Sequence, residues 1–106
     1  REEVDSLIDE EQFGGLTISY KNHQVFVEGK EIHLTKTEFS ILEYLARNAG
    51  KLLRYEDIIN HTWKWMDVSS IKKLQVNMAN IRKKLGEKPG ESTYVINELG
   101  VGYRMR

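Results

Sequence analysis

Apolar residues recur along this chain with two different periods, and the change of period divides it. Between residues 16 and 34, "LTISY", "QVFVEG" and "KEIHL" alternate apolar and polar positions, with turn residues Lys21-Asn22 and Gly29-Lys30 between them. Alternation of this kind predicts short strands in an antiparallel sheet. From residue 35 the spacing lengthens. Phe39, Leu42, Leu45 and Ala49 form one helical stripe, Thr35 and Glu38 form a capping box, and Leu34 and Phe39 occupy the staple positions. Gly50 is placed to stop that helix in the left-handed conformation. "KLL" predicts a brief strand, and "YEDIINHTW" a second helix with Ile58, Ile59 and Trp63 inward. "KWMDVS" is a loop, "SIKKLQVNMANIRKKLG" a third helix, and "TYVINELGVGYRMR" a hairpin around Gly100. The expected order is sheet, three helices, hairpin: an α+β domain over 14–106. Residues 1–13 read as the tail of a linker, with Val4, Leu7 and Ile8 as one apolar turn and Gly14-Gly15 as the break.

The third helix carries the chemistry. Ile71, Leu74, Met78, Ile81 and Leu85 fall on one stripe, which faces the core. The opposite side carries Lys72, Lys73, Val76, Asn80, Lys83 and Lys84, with Asn77 at its flank. Fifteen residues span about 22 Å, enough to lie along a major groove. Arg82, Lys83 and Lys84 near the C-terminus are favoured by the helix dipole. Lys72 and Lys73 are not, because they sit in the first turn and no acid follows four residues on. An external anion would neutralise them. Val76 gains nothing from water at the centre of a polar face, but it suits thymine methyls, as Asn77 or Asn80 suits base edges.

Charge sharpens this picture. The 106-residue chain has 16 cations, 16 acids and no cysteine. Residues 1–15 hold one of the cations and six of the acids, a net of −5, which leaves 15 cations and 10 acids, a net of +5, in residues 16–106. One small domain with a single core fits this length. No apolar run approaches the roughly 20 residues of a membrane span, and no signal peptide opens the chain, so a cytoplasmic protein is expected. Disulfides and thiolate metal sites are excluded. His23, His33 and His61 show no ligand spacing, so no metal or cofactor is expected. There is no nucleophile motif, phosphate loop or acid pair that would mark an enzyme.

Two readings of the basic helix stand at this point: a surface for double-stranded DNA, or a polar face with water against it. A third class is a protein–protein module without DNA binding, which would more often expose an apolar patch there.

"LTKTEFSILEYLARNAGKLL", Trp63, "VNMANIRKKL" and "LGVGYR", in this order and spacing, resemble the winged helix-turn-helix effector domain of OmpR/PhoB-type response regulators. The likeness covers about residues 13–106, and "NELGVGYR" with the lysine- and asparagine-containing helix is similar to the KdpE branch. The resemblance implies a transcription factor module, with the third helix in the major groove and the hairpin as a wing toward the minor groove. It implies DNA-facing positions at Lys72, Val76, Asn77, Asn80 and Arg82, the last weighed equally as a packing residue, and at Leu99 in the wing. It also implies a receiver domain with its sensor kinase, tandem dimers on DNA, and an RNA polymerase contact in the loop through Trp65 and Met66. Three positions depart from the family. Asn77 and Asn80 stand where a histidine and an arginine are common, Leu99 beside Glu98 replaces a wing arginine, and Arg54 replaces a serine that caps the second helix.

Overall fold

The computed structural model describes residues 8–88, 91 and 93–106. Val4 and Leu7, expected in one apolar turn with Ile8, lie outside these residues; Ile8 packs against the core. The chain opens with four antiparallel strands in sequential order: β1 (Glu10–Phe13), β2 (Leu16–Ser19), β3 (Gln24–Val27) and β4 (Lys30–Ile32). Helices α1 (Lys36–Arg47), α2 (Tyr55–Trp63) and α3 (Ser70–Leu85) follow. A two-residue strand, β5 (Leu53–Arg54), sits between α1 and α2. The hairpin β6 (Val95–Glu98) and β7 (Gly102–Met105) ends the chain, and the second sheet has the order β5-β7-β6. This is the α+β winged helix-turn-helix expected from the sequence.

β1 corrects the linker reading of residues 1–13. Phe13 pairs with Leu16, so Gly14-Gly15 is the two-residue turn of a hairpin rather than a break. Glu10, Glu11 and Gln12 have poor strand propensity, and tertiary contacts override it. The Tyr20 hydroxyl donates to Glu11 Oε1, and the Arg47 guanidinium lies 4.0 Å from the centre of the Tyr20 ring.

α1 starts as its sequence dictates. The Glu38 amide donates to Thr35 Oγ1 at 3.1 Å, and the Thr35 amide donates to Glu38 Oε1 at 3.0 Å. Its buried face is Phe39, Ile41, Leu42, Leu45 and Ala46. Ala49, expected on that stripe, is exposed: the helix ends at Arg47 and the chain turns away through Gly50 at φ +85. α2 buries Ile58 and Ile59, and Trp63 packs half-buried against the core. Arg54 supplies no side-chain cap, but its amide donates to Asp57 Oδ2 at 3.3 Å. α3 buries Leu74, Met78, Ile81 and Leu85. Ile71 does not join them and is 38% exposed, because Ser70 takes the inward position of the first turn.

The wing is seated on the helices by close backbone approach. A Cβ at Gly102 would lie 1.9 Å from the Leu53 carbonyl oxygen, so only glycine lets β7 pair with β5 here.

Candidate nucleic-acid interface

α3 presents one side of its cylinder outward. Lys72, Lys73, Val76, Asn80, Lys83 and Lys84 are all exposed, and Val76 keeps 52% of its surface. Sixteen residues make α3 about 24 Å long. The structure divides its cations by what holds them. Lys72 and Lys83 make no ion pair among the described residues. Lys84 does: its Nζ lies 2.7 Å from Glu38 Oε1, and that carboxylate side chain is only 4% exposed. Lys84, expected as a phosphate contact, thus also holds α3 against α1. Burial pushes the Glu38 carboxyl upward, but hydrogen bonds from Lys84 and Thr35 outweigh it and hold the group below its usual range.

Arg82 is also engaged within the fold, as the packing half of its expected role requires. Its Nη2 donates to the Val95 carbonyl in β6, and its Nε lies 3.6 Å from Glu87 Oε1. Asn77 is half-buried, and its amide donates to the Lys73 carbonyl one turn back at 2.9 Å. Asn80 is the outward-facing amide.

The first turn of α3 is not as bare of anions as a search four residues downstream suggests. Asp67 sits before it. Its Oδ1 accepts from the Ser69 amide at 2.8 Å, the Ser69 hydroxyl at 2.7 Å and the Ser70 hydroxyl at 3.2 Å. The Ser69 hydroxyl and amide do most to hold this carboxyl below its usual range, and the charge of Lys73 adds to the effect. Lys73 therefore has a partial partner; Lys72 has none among the described residues.

The wing tip is Glu98-Leu99-Gly100-Val101. Leu99 is 85% exposed and Gly100 has φ +79. Glu98 lies 3.5 Å from Arg104 in an exposed pair of little strength. Tyr55, a residue that sequence reasoning did not single out, anchors this turn from α2. Its hydroxyl donates to Asn97 Oδ1 at 3.3 Å and accepts from the Gly100 amide at 3.2 Å. Between α3 and the wing lies a groove of ≈ 550 Å³, with Met78 and Tyr103 at its base and Gln75, Lys83 and Lys88 at its rim.

In the loop between α2 and α3, Trp65 is 59% exposed, with Met66 and Val68 exposed beside it. Val68 extends the apolar patch beyond the pair expected from the sequence. Two of the three histidines, His23 and His61, stack on neighbouring rings. His61 lies on Tyr44 with centroids 4.0 Å apart, and His23 on Phe39 at 4.6 Å. No helix among the described residues is long and apolar enough to cross a membrane.

Residues 29–105 match the family described as "Transcriptional regulatory protein, C terminal". The transcriptional regulatory protein KdpE of Mycobacterium tuberculosis (strain ATCC 25618 / H37Rv) is 35% identical over 88 residues, which cover 83% of this chain and 39% of that protein. The chain thus spans well under half the length of this curated relative. The response regulator DrrB of Thermotoga maritima, an OmpR/PhoB homolog, has a TM-score of 0.82 at 36% identity, covering 92% of this chain and 44% of that one. The DNA-binding domain of RstA from Klebsiella pneumoniae, solved in complex with the RstA box, has a TM-score of 0.78 at 26% identity, covering 92% of this chain and 97% of that one.

Proposed function

Because the chain belongs to the family of transcriptional regulatory protein C-terminal domains, we propose that it is the DNA-binding effector part of a two-component response regulator. In this reading α3 enters the major groove of double-stranded DNA and the β6–β7 hairpin reaches toward the minor groove. The observation that carries it is the outward face of α3. Lys72 and Lys83 stand without ion pairs among the described residues, and Val76 and Asn80 stand between them. The cations fit phosphates, the valine fits a thymine methyl, and the amide fits a base edge. A DNA-bound RstA domain of the same fold supports this placement.

The partners follow from the family. A receiver domain precedes this part in the full protein and is phosphorylated by a cognate sensor kinase in the cytoplasm. Two copies bind DNA in tandem. The exposed Trp65-Met66-Val68 patch of the loop contacts RNA polymerase. The domain boundary lies before β1, since β1 is paired into the first sheet.

The test is the salt dependence of binding to a duplex enriched from a random library. With Lys84 paired to Glu38, three helix lysines remain for phosphates: Lys72, Lys73 and Lys83. Three contacts give a log–log slope of about −2.7. A slope near zero at low salt, or no enrichment of any sequence, rejects DNA binding.

A further inference from the structure

We propose that Glu87 and Arg82 form a clamp that sets the spacing between α3 and the wing, which makes Glu87 a positioning residue for the two DNA-facing elements. The inference rests on the DNA-binding reading above for its consequence, and on the residues around Val95 for its geometry.

β6 is the outer strand of the order β5-β7-β6, so alternate backbone groups on its far side have no strand to pair with. Val95 pairs with Met105 in register, while the neighbouring Tyr94 carbonyl accepts the Arg106 amide at 2.9 Å. Antiparallel pairing alternates bonded and non-bonded positions, so the Val95 amide and carbonyl turn away from β7. They turn toward the end of α3. Arg82 Nη2 donates to the Val95 carbonyl, and Glu87 Oε2 accepts from the Val95 amide at 3.4 Å and from the Tyr94 amide at 2.6 Å. One residue of the wing is thus held by its acceptor and its donor at once.

The two holding groups are themselves joined. Glu87 Oε1 faces Arg82 Nε at 3.6 Å, and the Glu87 amide donates to the Arg82 carbonyl at 2.9 Å. That last bond closes the helix end around Gly86, whose φ is +82. The Glu87 side chain is 1% exposed and Val95 fully buried, so water does not compete for these bonds. A carboxylate is left so deep only when its oxygens are engaged. Here Oε2 accepts from the backbone of the wing, while Oε1 makes no hydrogen bond and faces the Arg82 guanidinium as an ion pair at 3.6 Å; under the proposed reading both elements meet one duplex together. The wing tip at Leu99 lies four residues beyond Val95, about 13 Å along the strand. A rotation at the clamp is therefore magnified where the wing would touch DNA.

The chain has no cysteine, so spin labels can be placed without background. Label pairs at Gln75 and Leu99 report the α3–wing distance, and a pair at Lys36 and Gln75 reports α1–α3. Glu87→Ala should broaden the first distance distribution and leave the second unchanged. In the unlabelled protein, Glu87→Ala should weaken binding to the enriched duplex about tenfold, the loss expected from a misplaced contact set. Glu87→Gln keeps an acceptor oxygen for the Tyr94 and Val95 amides and should restore both the narrow distribution and most of the affinity. If Glu87→Ala lowers the melting temperature but changes neither distance distribution nor affinity, the residue only stabilises the fold and the inference fails. If the distribution broadens while the wild type binds no duplex at all, the clamp stands and the DNA-binding reading fails.

Discussion

Replacing Lys84 by methionine separates a lysine that holds the fold from one that holds DNA. The substitution keeps most of the aliphatic stem and removes the ammonium group, which lies 2.7 Å from Glu38 Oε1. Glu38 would remain 4% exposed at its side chain and lose one charged donor. The Thr35 amide would still serve it at 3.0 Å. Removing one partner of a fully buried ion pair costs about 3–5 kcal/mol. Lys84 itself is 37% exposed, so solvent screens the pair and the cost is discounted. What remains is a hydrogen bond to a charged group in a partly screened setting, about 1–2 kcal/mol. For a chain of 106 residues the unfolding entropy converts this to a drop in melting temperature of about 4–9 °C.

The sign of the pH dependence is fixed by the same contact. Glu38 is depressed in the folded state, so its stabilisation is present above the unfolded carboxyl value of 4.5. It is lost as pH falls through the folded value. Without Lys84, burial takes a larger share and the carboxyl rises. The melting-temperature gap between wild type and Lys84→Met should therefore be full at pH 7 and narrow toward pH 4. Salt titration of DNA binding supplies the second arm. Lys83→Met should flatten the log–log slope by about 0.9, and Lys84→Met should leave it nearly unchanged. The reasoning is refuted if Lys84→Met melts like wild type at pH 7 and flattens the slope as Lys83→Met does.

Three further outcomes are expected. Asn80→Ala should cost about 1–3 kcal/mol at one base position in a selection experiment, and Val76→Ala should weaken preference for a thymine by less; both variants keeping the wild-type motif would exclude base reading by these side chains. Trp65→Ala should reduce transcription activation in the full regulator while leaving DNA affinity and melting temperature near wild type, because the side chain is 59% exposed. Leu99→Arg should tighten binding and steepen the salt slope by roughly 0.9, with little change in stability at so exposed a tip; weaker binding at every salt concentration would show that the wing does not approach phosphates.

What could be read from the sequence was local. The Thr35–Glu38 capping box is three residues wide, and α1 forms on it as the pattern requires. The outward face of α3 needed only a period of 3.6. β1 could not be read, because Glu10-Glu11-Gln12-Phe13 carries no strand signal and depends on Tyr20 and β2 for its place. Within the site the same limit applies. The partner of Lys84 is 46 residues away, and Arg82 reaches the backbone of a residue 13 positions on. No helical wheel shows that these cations are already engaged. Asp67 was within reach of sequence reasoning: it lies three residues before Ser70, in the range where side chains cap helices, but it precedes the lysines rather than following them.

Under the proposed reading, the engaged cations change which lysines are free to meet DNA without changing the net charge that attracts it. Residues 16–106 carry 15 cations and 10 acids, a net of +5. Each internal ion pair, Lys84–Glu38 and Arg82–Glu87 among them, removes one charge of either sign and leaves that net of +5 unchanged. Long-range attraction follows the net charge and its distribution, whereas the salt slope follows the number of phosphates actually touched. A count of lysines on the α3 wheel would therefore overstate the slope. The acids paired with Lys84 and Arg82 hold α3 against α1 and the wing against α3, so under the proposed reading the cations engaged internally are those that fix the position of Lys72, Lys83 and Asn80.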